Sequence, residues 1–219
     1  MEGSVTAIVI RAEERKDSDY LLRLFSAEGV ISAVMRGVRK ASSKMKFAAQ
    51  PFAFCVYELS GRGEIPVVTG ATQIEDFSGI AEDIVSFSAC SLMLEAARYS
   101  VDAVDCPDSF VSLLKCIKAV LYSAVNPAIV AIKYLQKLLF SSGFFRPEKG
   151  ELPEKDKCII SADKLCKAVA ASRLDELLEI TASDEAINSA LAITADKFEK
   201  FFYCTLSSAR FFTGKKRSV

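Results

Sequence analysis

The 219-residue chain contains no histidine and no tryptophan. Without imidazole no side chain changes charge between about pH 5 and 8 at its ordinary pKa, which excludes histidine as general base, proton shuttle or metal ligand. Ser-His-Asp triads and His-x-Glu deaminase centres are therefore impossible. CxxC pairs are also missing, as are GxxxxGK[ST] and GxGxxG, so neither paired zinc ligands nor a phosphate-cradling glycine loop is encoded. The longest uncharged run, Ala119 to Ile132, is too short for a bilayer and holds Pro127. No basic leader before a long apolar core opens the chain, so a secretory signal is not expected either. Carboxylate pairs such as Glu13 with Glu14 and Asp184 with Glu185 fall in polar stretches suited to solvated surface or a helix start. Catalysis has no evident seat, and the expectation is a non-enzyme with no cofactor and no bound metal.

What is present describes a soluble globular protein, with 51% apolar and 26% charged residues and a formal net charge of zero. A chain of this length buries roughly 70–75% of the surface its unfolded form exposes, so no covalent staple is needed. The seven cysteines, Cys55, Cys90, Cys106, Cys116, Cys158, Cys166 and Cys204, are odd in number and lack a framework spacing. They read as reduced, mostly apolar residues of a cytoplasmic protein. Cys90 or Cys116 as nucleophile is disfavoured, because no imidazole can activate either thiol and both lie in apolar helical runs.

Residues 1–77 favour strands. Val5 to Arg11, Val30 to Arg36, Phe52 to Leu59 and Ile65 to Ile74 are rich in β-branched and aromatic residues, and Gly61 to Gly63 suits the connection between the last two. The segment from Ala12 to Gly29 stays undecided, since Tyr20, Leu21, Leu24 and Phe25 fall at helical spacings. Residues 78–219 favour helices. Phe110, Leu113, Leu114, Ile117 and Leu121 form one stripe, and Asn126 followed by Pro127 caps a second helix that should stop near Gly143. A polar stretch, 145–160, interrupts the helices, after which Ser161, Ser183 and Thr194 are expected N-caps. The last of these helices carries Phe198, Phe201, Phe202 and Leu206 as a core stripe. The fold class is α+β, a small β-barrel followed by an all-helical domain; an OB-fold and an SH3-like barrel both fit the strand count.

Charge is unevenly placed. Arg36, Arg39, Lys40, Lys44 and Lys46 fall within eleven residues that hold no acid, inside an acid-free span from Gly29 to Tyr57. Phe47 and Phe52 follow. Unpaired cations beside aromatics suit a groove that tracks a nucleic-acid backbone while rings stack on bases. The zero net charge points to a localised footprint, which Arg11, Arg15, Lys16 and Arg62 extend, although Glu13, Glu14 and Asp17 compete there. The alternatives are a solvated loop, or an adaptor whose basic loop docks an acidic protein. Gly214 to Arg217 adds a short basic tail that reads as a solubilising end.

The order of elements from Asp19 to Phe77 resembles the N-terminal domain of the RecO family of bacterial recombination mediators. Asp19, Gly29, the Ile31 to Val34 strand, Arg36 with Gly37 and Arg39, and Gln50 with Pro51 and Phe52 carry the likeness. The resemblance is good over residues 1 to about 80, extends through the helical block to Gly143 to Pro147, and is thin beyond. It implies an OB-fold, and it turns the undecided Asp19 to Ser26 segment into a strand. It further implies a DNA repair and recombination role: binding and annealing single-stranded DNA, with duplex DNA as a possible second ligand, and helping with RecR to load RecA. Many family members carry a four-cysteine zinc site where this chain has only Cys158 and Cys166, so a zinc-free variant is expected. The resemblance also implies docking of the acidic, Phe-ending tail of single-stranded-DNA-binding protein. Lys115 with Lys118 and Lys133 with Lys137 each sit about one helical turn apart beside an apolar stripe, and form the candidate receptor.

Overall fold

The computed structural model describes residues 2–15, 18–61, 63–143 and 158–213. The chain divides into two compact units, one of Met1–Gly79 with Cys106–Phe110, the other of Ile80–Asp105 with Val111–Val219. The first is a barrel of β1 (Glu2–Arg15), β2 (Asp19–Ser26), β3 (Gly29–Met35), β4 (Phe54–Ser60) and β5 (Val67–Glu75). Its strands close in the order β1-β2-β3-β5-β4. Every neighbouring pair is antiparallel except β3 with β5, which meet in parallel at Val34 and Val67, where the Val34 N–H donates to the Pro66 carbonyl at 2.9 Å. That parallel seam closing a five-stranded barrel is the OB-fold arrangement, and it sets aside the SH3-like alternative.

Alternation along each strand fills the barrel. Ala7, Val9, Leu22, Leu24, Ala33, Met35, Cys55, Tyr57, Leu59 and Val68 form its buried core. Outside it, Phe25 meets Phe110 edge-on at 5.6 Å and Phe54 stacks on Phe77 at 5.9 Å. The segment that periodicity left undecided is β2. Leu22 and Leu24 point inward while Phe25 is buried on the other face, so apolar residues occur on both sides and imitate a helical spacing.

The second unit is built from helices α1 (Ile84–Ser100), α2 (Cys106–Tyr122), α3 (Pro127–Ser141), α4 (Ala162–Ala171), α5 (Asp184–Phe202) and the single turn α6 (Arg210–Thr213), α2 beginning within the first unit. Asn126 caps α3 as expected, its Oδ1 accepting the Ala128 N–H at 2.9 Å, and Ser183 caps α5 by accepting from Ala186 at 3.3 Å. Thr194 is not an N-cap. α5 runs through it, and its hydroxyl donates back to the Ala190 carbonyl at 2.8 Å, the bond a threonine makes inside a helix. One isolated parallel bridge joins Ile159 to Ala182. Most of the polar 145–160 stretch lies outside the described residues. Among the described residues no helix is long and apolar enough to cross a membrane.

Candidate nucleic-acid interface

The basic segment after β3 is tied to the barrel at several points. Gly37 turns the chain with φ +64°, a left-handed conformation that favours glycine. Its N–H donates to Asp19 Oδ1 at 2.8 Å, and the Arg39 N–H donates to the Ser18 carbonyl at 3.1 Å, so the segment is held against the start of β2. Val38, Ala48 and Ala49 are buried, and Met45 packs on the core. A short 3-10 helix, Lys46–Ala49, ends the segment, and the buried Tyr57 hydroxyl donates to the Ala48 carbonyl at 2.8 Å. Burial first, and then the neighbouring Cys55 thiol, push the Tyr57 pKa up, so this donor keeps its proton.

Between those anchors the five cations face solvent: Arg36, Arg39, Lys40, Lys44 and Lys46 are all exposed. Their surroundings differ. Arg39 Nη1 lies 2.8 Å from Glu14 Oε2, so the absence of an acid within the segment does not leave every cation unpaired. The Lys46 ammonium donates to the Ala41 carbonyl at 3.4 Å. Arg36, Lys40 and Lys44 have no ion-pair partner among the described residues. Phe47 is 39% exposed and available to a ligand, whereas Phe52 is 5% exposed. Phe52 is thus a core residue, held at φ +68° with its N–H on the Val9 carbonyl at 3.2 Å, and cannot stack on a base.

Arg11 reaches the outer face of the barrel on β1, with its Nε 2.7 Å from Glu13 Oε1. The register places it opposite Arg23 on β2, which is in turn opposite Ser32 on β3 and donates to that hydroxyl at 2.8 Å. Directly opposed residues share a face, and two like charges there cost stability, so Arg23 is a cation that the local sequence did not reveal. It lies four residues, about 13 Å, along β2 from Asp19. Arg62, Lys16 and the Gly214 to Arg217 tail lie outside the described residues.

In the helical unit, Lys115 and Lys118 are exposed on α2. Lys133 is not a free surface cation: its ammonium donates to the Val169, Ala170 and Ser172 carbonyls at 3.0, 3.2 and 2.6 Å, closing the C-terminal end of α4. Burial holds its pKa below the usual lysine value. Lys137, one turn on, is half-buried. Of the four lysines, Lys133 is thus engaged within its own fold, whereas Lys115 and Lys118 are exposed. Cys90 and Cys116 are buried, and desolvation pushes both thiols up to about 12. Among the described residues no group of three or more His, Cys, Asp or Glu side chains is arranged to hold a metal ion. Cys158 is exposed, and the Cys166 sulfur lies 3.7 Å from both the Ala190 carbonyl and Thr194 Oγ1.

Residues 1–77 match the family described as Recombination protein O N terminal. The chain is 32% identical over 150 residues to the DNA repair protein RecO of Desulfitobacterium hafniense, covering 68% of this chain and 54% of that protein. It is 34% identical over 90 residues to the DNA repair protein RecO of Heliobacterium modesticaldum, covering 41% and 33%. With the protein of the same name from Syntrophomonas wolfei it shares 27% over 161 residues, covering 72% and 61%. The chain thus spans about half the length of the curated relatives it matches.

Proposed function

We propose that this chain, whose residues 1–77 match the N-terminal domain of the RecO family, serves DNA repair and recombination by binding and annealing single-stranded DNA on its barrel. The observation that carries this reading is the arrangement of Arg36 to Lys46, in which buried Val38, Ala48 and Ala49 fix the backbone and the exposed cations project from it. A polyanion meets a backbone already fixed, so little loop freedom is lost on binding. Phosphate contacts of this kind carry affinity without sequence preference, which suits a protein that must accept any strand. Exposed Phe47 supplies a ring for stacking at the end of the row, and Arg23 with Arg11 extends the cationic surface along the β1-β2-β3 face.

The partner that this reading brings on the recombination side is RecR, with which the chain helps to load RecA onto strands covered by single-stranded-DNA-binding protein. The acidic tail of single-stranded-DNA-binding protein belongs to the helical unit, where Lys115 and Lys118 are the exposed cations of the candidate set. Titrating the chain with a fluorescein-labelled oligothymidylate at several salt concentrations tests the reading. Binding that weakens log-linearly with salt supports it. Failure to bind strands, together with tight binding of an acidic peptide to the same segment, replaces it with a protein adaptor.

A further inference from the structure

The candidate surface contains its own counter-charge. Glu14 comes from the end of β1, and its Oε2 lies 2.8 Å from Arg39 Nη1, with the two side chains 63% and 37% exposed. The partner is placed by the fold: the Arg39 N–H is fixed on the Ser18 carbonyl, and Gly37 is fixed on Asp19, so the guanidinium is delivered to the β1-β2 hairpin carrying Glu14. The neighbouring cations Arg36, Lys40 and Lys44 have no such carboxylate among the described residues. A carboxylate and a phosphodiester present the same thing to a guanidinium, a pair of anionic oxygens. We propose that Glu14 is an internal stand-in for a DNA phosphate, keeping Arg39 occupied until a strand already held by the open cations displaces it. The inference rests on the single-strand reading of the barrel surface.

An exposed ion pair is weak, so a phosphate brought close by contacts at Arg36, Lys40 and Lys44 can win Arg39, while an isolated anion with no second contact cannot. The consequence is selective: the site favours long polyanions over single phosphates or free nucleotides. Glu14 also lowers the affinity for strands, which speeds their release, and a protein that pairs two strands must let go of both.

The test is an isosteric Glu14→Gln change in the full chain, with Glu28→Gln as its charge-matched control. Glu28 is exposed at the β2-β3 turn, has no ion pair among the described residues, and lies at the far end of β2 from Asp19. Seven residues of strand separate those ends by about 23 Å, beyond the screening distance of about 10 Å at 0.1 M salt. Fluorescence anisotropy with labelled oligothymidylate should show Glu14→Gln binding roughly two- to five-fold tighter, the worth of one exposed ion pair. The dependence of log K on log salt should stay nearly the same, because Arg39 reaches a phosphate in the complex of either form. Glu28→Gln should change neither quantity, and the gain from Glu14→Gln should vanish in an Arg39→Ala background. Unchanged or weaker binding by Glu14→Gln overturns the proposal, and so does a gain that survives Arg39→Ala. Replacing Lys40 and Lys44 by alanine separates the two levels. If that loss weakens binding while Glu14→Gln behaves as Glu28→Gln does, the stand-in role fails and the DNA surface stands; if neither change has any effect, the surface falls and Glu14 with it.

Discussion

Replacing Lys133 by methionine should destabilise the helical unit without touching its surface charge pattern elsewhere. Three carbonyls, those of Val169, Ala170 and Ser172, accept from this one ammonium, at the end of α4 where backbone acceptors have no intrahelical donors. A hydrogen bond to a charged group contributes about 1.5–3 kcal/mol, and a cation at a helix C-terminus about 0.3–1. Three bonds do not sum to three times that, because the half-buried ammonium has given up part of its hydration to reach them. Methionine keeps the apolar stem and leaves the acceptors to whatever water can enter, so a loss of about 2–4 kcal/mol is expected. Urea unfolding followed by far-ultraviolet circular dichroism reads this directly. With m near 3 kcal/mol/M, the midpoint should fall by about 1 M at unchanged m. Lys115→Met, on an exposed lysine, should stay within about 0.5 kcal/mol of the parent. If Lys133→Met is as mild as Lys115→Met, the capping role is refuted and Lys133 returns to the candidate partner surface.

Tyr57→Phe removes the donor to the Ala48 carbonyl and should cost about 1–3 kcal/mol while weakening strand binding, although no cation is lost. Unaltered affinity in a folded variant would show that the 3-10 turn needs no tether. Thiol alkylation of the native chain at pH 8 should modify exposed Cys158 and spare Cys90 and Cys116, whose burial pushes their thiols up to about 12; rapid reaction of either buried residue contradicts the packing. The purified chain should carry no stoichiometric zinc and keep its helical signal in chelator, and metal analysis giving one zinc per chain, with unfolding on its removal, would contradict this.

The strands and helices were legible wherever one face is buried and a cap or turn is local. β1, β3, β4 and β5 lie within a few residues of their β-branched runs, and α3 starts at the Asn126-Pro127 pair. Pattern failed at β2, where Phe25 is buried on the face opposite Leu22 and Leu24, and only the family resemblance made it a strand. It failed again at Thr194, since a threonine can cap a helix or bond back within one, and the choice depends on whether helix precedes it. The basic segment was visible as a charge asymmetry, but which of its cations are open was not. Arg39 meets Glu14, and Lys133 meets carbonyls 36 to 39 residues later in the chain. Partners that distant are set by register and helix packing, which local composition does not encode. Phe52 illustrates the same limit, because an aromatic next to lysines reads as a stacking platform until its burial is known.

If the open cations Arg36, Lys40 and Lys44 contact phosphates, the salt dependence of single-strand affinity must change in the Lys40→Ala, Lys44→Ala double variant. Both side chains are exposed and unpaired among the described residues, so their loss should leave the fold unchanged. At about 0.7 per phosphate contact, the slope of log K against log salt should flatten by about 1.4, with affinity falling to the same degree for every sequence tested. An unchanged slope and affinity in a folded double variant would contradict phosphate contact at Lys40 and Lys44 and place any DNA surface of this chain elsewhere.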